Sequence, residues 1–224
     1  VLLVVLVLVA AGTGWWLLRG SLATLDGEVA LPGLSAPATI QRDALGVVTI
    51  DATNADDAVR ALGYVHAQER YFEMDLLRRA AAGELSELVG ARAVDLDKRH
   101  RTHRLRARVN QHLDEFANGK LQQLRAYSEG VNAGLADLEV RPWPYLLLRQ
   151  SPQVWTPADS ALTGYAMYFD LQDSTDEREF ALWKIRQHVP PALYALLSLD
   201  GTPWDAPLVG EPRADATLPG PDVL

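Results

Sequence analysis

Apolar and polar positions along this 224-residue chain change rhythm several times, and each change marks an element. Residues Val1 to Leu18 carry no charge and are almost all apolar. At ~1.5 Å per helical residue the run spans about 27 Å, close to the hydrocarbon thickness of a bilayer. A membrane-targeting segment is therefore expected over residues 1–18. Val9-Ala10-Ala11 offers the small residues of a signal cleavage site, but Trp15, Trp16, Leu17 and Leu18 carry the apolar stretch past it. Run length and the interfacial Trp pair favour an uncleaved anchor. The chain starts at Val and not Met, so the charged flank that sets orientation is missing and a fragment is expected at this end.

A linker punctuated by Gly and Pro follows over residues 19–38. Then TIQRD and VVTIDA alternate around Asp43-Ala44-Leu45-Gly46, as the two strands of a hairpin do. From there the period becomes helical. Asn54 or Asp56 can cap a long helix in which Ala58, Ala61, Leu62, Val65, Phe72, Leu76 and Leu77 recur, until Gly83 supplies a stop. The pattern predicts helices over Asn54 to Ala82, Val94 to Asn110, Lys120 to Leu138, Pro157 to Phe169, Thr175 to Val189 and Pro191 to Ser198. Thr156-Pro157-x-Asp159 is a start signal for the fourth of these. Five Pro and three Gly fall within residues 201–224, which rules out a sustained helix or central strand there. The expected class is α+β and mostly helical, with a domain over 39–200 and a tail over 201–224.

Composition narrows the functional classes. A formal net charge of −8 opposes a general polyanion binder, so no nucleic-acid partner is expected. The chain has no Cys, which removes disulfides, thiolate metal sites and a Cys nucleophile. Nor does any serine sit in a G-x-S-x-G elbow or another recognisable catalytic phrase. No catalytic residue is assigned within this chain.

Several charged clusters remain. Arg70, Asp75, Arg78 and Arg79 lie among apolar neighbours of the long helix and read as buried scaffold charges pairing across a subunit junction. The basic run from Lys98 to Arg104, continuing through Arg106 and Arg108, reads as a solvated or ion-paired helix face; His100, His103 and His112 lack the spacing of a zinc site. His66 and His188 read as packing or surface residues. In the acidic cluster Asp170, Asp173, Asp176, Glu177 and Glu179, two readings stay open. Ser174-Thr175-Asp176-Glu177 fits a capping box, and the same oxygens suit calcium. Met167, Tyr168 and Leu171 close an apolar helix and read, on their own, as core packing.

The string AQER-x-F-x-M-D-x-x-RR from Ala67 to Arg79 is followed by G-x-L-S-E-L-x-G at Gly83 to Gly90. Together with RDALGVVTI at Arg42 to Ile50, AYSEGVNAG near Ser128 and DSTDE near Thr175, these ordered phrases resemble the α-chain of the penicillin acylase family of N-terminal-nucleophile hydrolases. The resemblance covers Thr39 to Leu199. It implies a helical α-chain wrapped on an αββα core that a downstream β-chain mostly supplies, the two cut from one precursor. The nucleophile would be the Ser at the start of that second chain, with its own α-amine as base. Residues 201–224 would begin the spacer between the chains.

The same resemblance implies that Glu177 gives one ligand to a structural calcium ion completed by the second chain. It places Met167, Asp170 and Leu171 at an acyl-binding pocket. Penicillin G acylases typically carry Arg and Phe where this chain has Asp170 and Leu171, which argues against a phenylacetyl specificity; Val48-Thr49 also replaces a frequent Pro-His. Implied substrates are N-acylated β-lactams, acyl-homoserine lactones and related acyl amides, and a periplasmic, inner-membrane-anchored enzyme is expected. A membrane-tethered helical scaffold that binds acyl ligands or a partner without catalysis is the alternative.

Overall fold

The computed structural model describes residues 1–172, 177–199 and 201–223. Contacts divide the chain into two compact units, Val1–Phe169 and Asp170–Leu224. Helix α1 (Leu2–Gly20) opens the first unit and is exposed along its apolar run. An irregular stretch leads to an antiparallel hairpin, β1 (Thr39–Arg42) with β2 (Val48–Asp51), in which Thr39 faces Asp51 and Arg42 faces Val48. Asp43 shapes its turn by accepting the amides of Leu45 and Val47 at 2.9 and 2.8 Å, and Gly46 takes the left-handed φ of 80° that closes it.

Helix α2 (Ala55–Ala82) is the spine. Asn54 caps it by accepting the Asp57 amide at 2.9 Å, and the Asp57 carboxylate takes the amide and hydroxyl of Ser35, which pins the linker to the helix start. Those Ser35 hydrogen bonds hold the Asp57 carboxyl below its ordinary pKa. At the other end Gly83 is left-handed and Glu84 N–H reaches back to the Arg79 carbonyl, as the sequence stop requires. Midway, Arg70 leaves helical geometry at φ −147°, ψ 28°. The kink turns the buried stripe, so Tyr71, Met74, Asp75 and Arg78 go inward while Leu77, expected inside, is 43% exposed. Arg70 itself is exposed, against the expectation of a buried charge.

Helix α7 (Leu121–Ala136) lies on α2 with backbone almost touching backbone. A methyl added at Gly63 would overlap Tyr127 and Val131 of α7, and one at Gly130 or Gly134 would overlap the Arg60 or Tyr64 backbone of α2. The glycines of AYSEGVNAG are therefore a packing requirement. Polar pairs border the contact: Arg60 with Glu129, Tyr64 donating to Asp137 at 2.5 Å, and His66 with Tyr127 at 2.9 Å. Burial, then Asp137, pushes the Tyr64 hydroxyl pKa up, while burial and Arg70 lower that of His66.

The predicted helix Val94 to Asn110 is two, α4 (Val94–Arg101) and α5 (Leu105–Gln111), because Arg104 adopts φ 53° between them. Short helices α3 (Ser86–Val89), α6 (Leu113–Ala117) and α8 (Trp143–Leu148) were not evident from periodicity; each is under two turns long, too short to display one. Helix α9 (Pro157–Leu171) completes the set that frames the first unit. Two buried clusters hold that unit together. Ala67, Tyr71, Met74, Leu88, Val131, Tyr145 and Trp155 form one. Ala81, Ala82, Leu105, Val109, Ala158, Leu162 and Ala166 form the other.

In the second unit, α10 (Glu177–His188) and α11 (Pro191–Leu197) have no buried residue. Phe180 and Trp183 stack at 5.8 Å, with Lys184 over the Phe180 ring at 4.1 Å. No regular element follows α11 among the described residues of the tail.

Candidate functional site

The string that carries the resemblance folds into a buried charge network. Asp75, fully buried, accepts Arg78 Nε and Arg79 Nε at 2.8 Å each and the Tyr145 hydroxyl at 2.6 Å. The spacings i, i+3 and i, i+4 on α2 bring both guanidinium groups to one carboxylate. Arg78 then extends to Asp159 at 2.9 Å and to the carbonyls of Val154 and Gln153, while Arg79 reaches Glu87 at 3.1 Å. The Arg78 guanidinium also sits 4.9 Å over the Trp155 ring. These partners all lie inside the chain, so the expectation of pairing across a subunit junction is corrected for Arg78 and Arg79.

Asp159 is the second hub. Its carboxylate accepts the amide and hydroxyl of Thr156 at 2.7 Å each, which is the start signal for α9 read from the sequence, and also accepts Arg106 at 3.0 Å. Burial pushes its pKa up, but Arg78 and the hydrogen bonds from Thr156 and Arg106 outweigh burial and hold it low. Burial raises the Tyr71 hydroxyl to about 12, and burial with Asp75 raises Tyr145 as well. Neither phenol ionises at neutral pH, so both serve as donors. Arg106 clamps Glu84 with two bonds of 2.6 Å, and Arg101 donates to the Gly83 carbonyl at 2.6 Å. That part of the basic run is ion-paired structure, as expected. His100 hydrogen-bonds the Ala80 carbonyl at 2.5 Å and stacks on Phe169 at 4.4 Å.

The residues singled out for substrate binding lie elsewhere. Met167 is 63% exposed, Leu171 is 73% exposed, and Asp170 is exposed too. Core packing, the generic reading of Met167, Tyr168 and Leu171, is thus corrected: α9 buries Ala158, Asp159, Leu162 and Ala166 instead. Glu177 starts α10 and is exposed. Ser174, Thr175, Asp173 and Asp176 lie outside the described residues, and with them the capping-box reading. Among the described residues no group of three or more His, Asp or Glu side chains converges as a metal cage. Calcium wants six to eight oxygens, so the Glu177 carboxylate does not by itself make a site.

Five serine hydroxyls have structural partners. Those of Ser21, Ser128 and Ser198 donate to carbonyls of their own helices, Ser35 donates to Asp57, and Ser160 accepts from Trp155. Sequence reasoning missed a groove of about 970 Å³ in the first unit, bounded by Arg19 to Asp26, by Gln68 to Glu73 around the kink, and by Pro142 to Pro144. The kink lies in one of its walls, and Arg70 carries neither the Pro nor the Gly that would flag a kink in sequence.

The chain has the mostly helical fold of a penicillin G acylase chain. The thermostable penicillin G acylase of Alcaligenes faecalis superposes with a TM-score of 0.61 at 21% identity, covering 79% of this chain and 98% of the solved one. The penicillin amidase sequence profile matches residues 37–206, and the chain belongs to that family. It is 40% identical over 148 residues to penicillin acylase 2 proenzyme of Pseudomonas sp. strain SE83, covering 66% of this chain and 19% of that protein. It is 33% identical over 220 residues to the acyl-homoserine lactone acylase QuiP of Pseudomonas aeruginosa, covering 94% of this chain and 26% of the relative. The chain thus spans about a fifth to a quarter of the length of these relatives.

Because the Asp159 carboxyl has a lowered pKa in the folded protein, its ion pairs stabilise the fold above the ordinary carboxylate value of ~3.9 and lose that contribution as pH falls through the lower folded value. Asp159→Asn is therefore expected to lower stability at neutral pH and to flatten the loss of stability below about pH 4. Denaturant melts of both proteins across that range measure the difference.

Proposed function

We propose that this chain is the α-chain portion of a penicillin acylase-like amidohydrolase. It would hydrolyse linear acyl amides, N-acylated β-lactams or acyl-homoserine lactones among them, once joined to a downstream chain of the same precursor. The observation that carries this reading is the family match over residues 37–206 together with near-complete coverage, 98%, of a solved penicillin G acylase chain by a stretch of this one. A relative named as a proenzyme supports processing of a precursor.

In the proposed reaction the N-terminal Ser of the downstream chain attacks the acyl carbonyl, its α-amine takes the hydroxyl proton, and that proton passes to the departing amine. Water then cleaves the acyl ester and restores the serine. An α-amine titrates near ~8, low enough to act as base at neutral pH. This chain contributes shape. Met167, Asp170 and Leu171 border the acyl pocket, and their exposure here suits side chains that the second chain covers. Glu177 supplies one oxygen to a calcium ion that the second chain completes, which would fix the start of α10. Residues 1–18 hold the enzyme at the inner membrane, facing the periplasm; the exposed apolar helix α1, mean hydropathy 2.0, supports that placement.

Three measurements on the mature protein test these assignments. Terminal sequencing of the downstream chain should find Ser; an uncleaved product, or another residue, removes the amidase mechanism and leaves a binding scaffold. Calcium titration calorimetry should show weakened affinity in Glu177→Ala, and unchanged affinity discards Glu177 as a ligand. Leu171→Ala should change the ratio of kcat/KM for long over short acyl chains on the order of tenfold, and an unaltered ratio takes Leu171 out of the pocket.

A further inference from the structure

Helix α1 does not run into a free tether. The Gly20 carbonyl accepts the Val140 amide at 2.9 Å, and Ser21 is buried beside it, its hydroxyl donating back to the Leu18 carbonyl at 2.9 Å. A Cβ at residue 20 would come within 2.7 Å of Val140 Cγ2, so a larger residue there would force the Val140 side chain to shift. The last turn of the apolar helix is thereby clasped to the loop after α7. Around the clasp, the chain from Arg19 to Asp26 lines the groove that Trp143 also lines. Leu22, Leu25 and Trp143 line that groove and each leave about half or more of their surface exposed, a few residues beyond the exposed Trp15 and Trp16 of α1 in the case of Leu22 and Leu25.

We infer that the Gly20–Val140 clasp fixes the first unit against the bilayer, with Leu22, Leu25 and Trp143 seated in the lipid interface around the groove mouth. The occupant is a lipid surface, and three observations select it. The patch adjoins an exposed helix long enough to span a membrane. Its aromatic member, Trp143, is the residue type that settles at headgroup level. The groove's charged side chains are five carboxylates against Arg19 and Arg70, which disfavours recognition of an anionic ligand and leaves apolar contact as the driving force. Contact should therefore not require anionic lipid. The inference rests on the proposed anchoring of residues 1–18.

The chain has no cysteine, so cysteines introduced into it are its own label sites, and unsubstituted enzyme labelled in parallel gives the background to subtract. The full processed enzyme, reconstituted in phosphatidylcholine vesicles with and without phosphatidylglycerol, is labelled with an environment-sensitive fluorophore at Leu25→Cys, Trp143→Cys or Lys98→Cys. Lys98 lies on α4, beside the C-terminal end of α2 and outside the groove. Labels at 25 and 143 should shift to the blue and be quenched by lipid-borne nitroxide in both lipid mixtures, whereas the label at 98 stays water-like. Gly20→Val, which breaks the clasp, should weaken the signal at 143 with the enzyme still in the vesicle fraction. A water-like label at 143 on an enzyme that retains α1 overturns the inference and leaves the anchor intact. A mature chain found without α1 overturns the anchor reading, and the inference falls with it.

Discussion

Asp75 sits at zero solvent exposure in the middle of the spine helix, and the first unit is arranged to make that tolerable. An isolated buried carboxylate is too costly to keep, so it must be paired and hydrogen-bonded on both oxygens. One oxygen takes Arg78 and Arg79, and the other takes Tyr145. Two guanidinium groups against one carboxylate leave an excess of positive charge, which Asp159 and Glu87 offset from elsewhere in the chain. The solution to one buried charge thus fixes where α8 lies, how the Gln153–Trp155 segment passes and where α9 begins. Such a network specifies a unique arrangement more than it adds net stability, since a well-packed apolar replacement of a buried ion pair is often no less stable.

The second constraint is steric. Gly63, Gly130 and Gly134 let α2 and α7 approach until their backbones meet, which shortens the distance between the helix axes and brings the paired tyrosines and carboxylates at its margins into reach. Close approach and buried charge support each other. The Asn132 side chain of α7 grips the Trp155 backbone from both sides, at 2.9 and 2.8 Å, and so carries the α7 position into the network centred on Arg78.

Much of this was legible in the sequence. Caps at Asn54 and Asp159, the left-handed stop at Gly83 and the hairpin around Asp43 rest on local chemistry and appear where local chemistry puts them. The phrases that carry the family resemblance were legible as scaffold, and Asp75, Arg78 and Arg79 are buried accordingly. What could not be read depends on contacts distant in sequence. Arg70 falls outside the buried set because the helix kinks beneath it, and Leu77 turns outward for the same reason. The long helix expected after Val94 breaks at Arg104, where only a backbone angle marks the bend. At the candidate pocket, exposure of Met167 and Leu171 follows from α9 using its small residues for packing, which periodicity alone does not reveal.

The separation of Arg78 from Asp159 by 81 residues also has a consequence for synthesis. A ribosome adding about 5–20 residues per second makes α2 several seconds before its second counter-charge exists. During that interval Arg78 and Arg79 share Asp75 alone among the buried carboxylates, and the segment that supplies the carbonyls of Gln153 and Val154 has not yet been made. The part of the network that depends on Asp159 can therefore close only once that residue has been made.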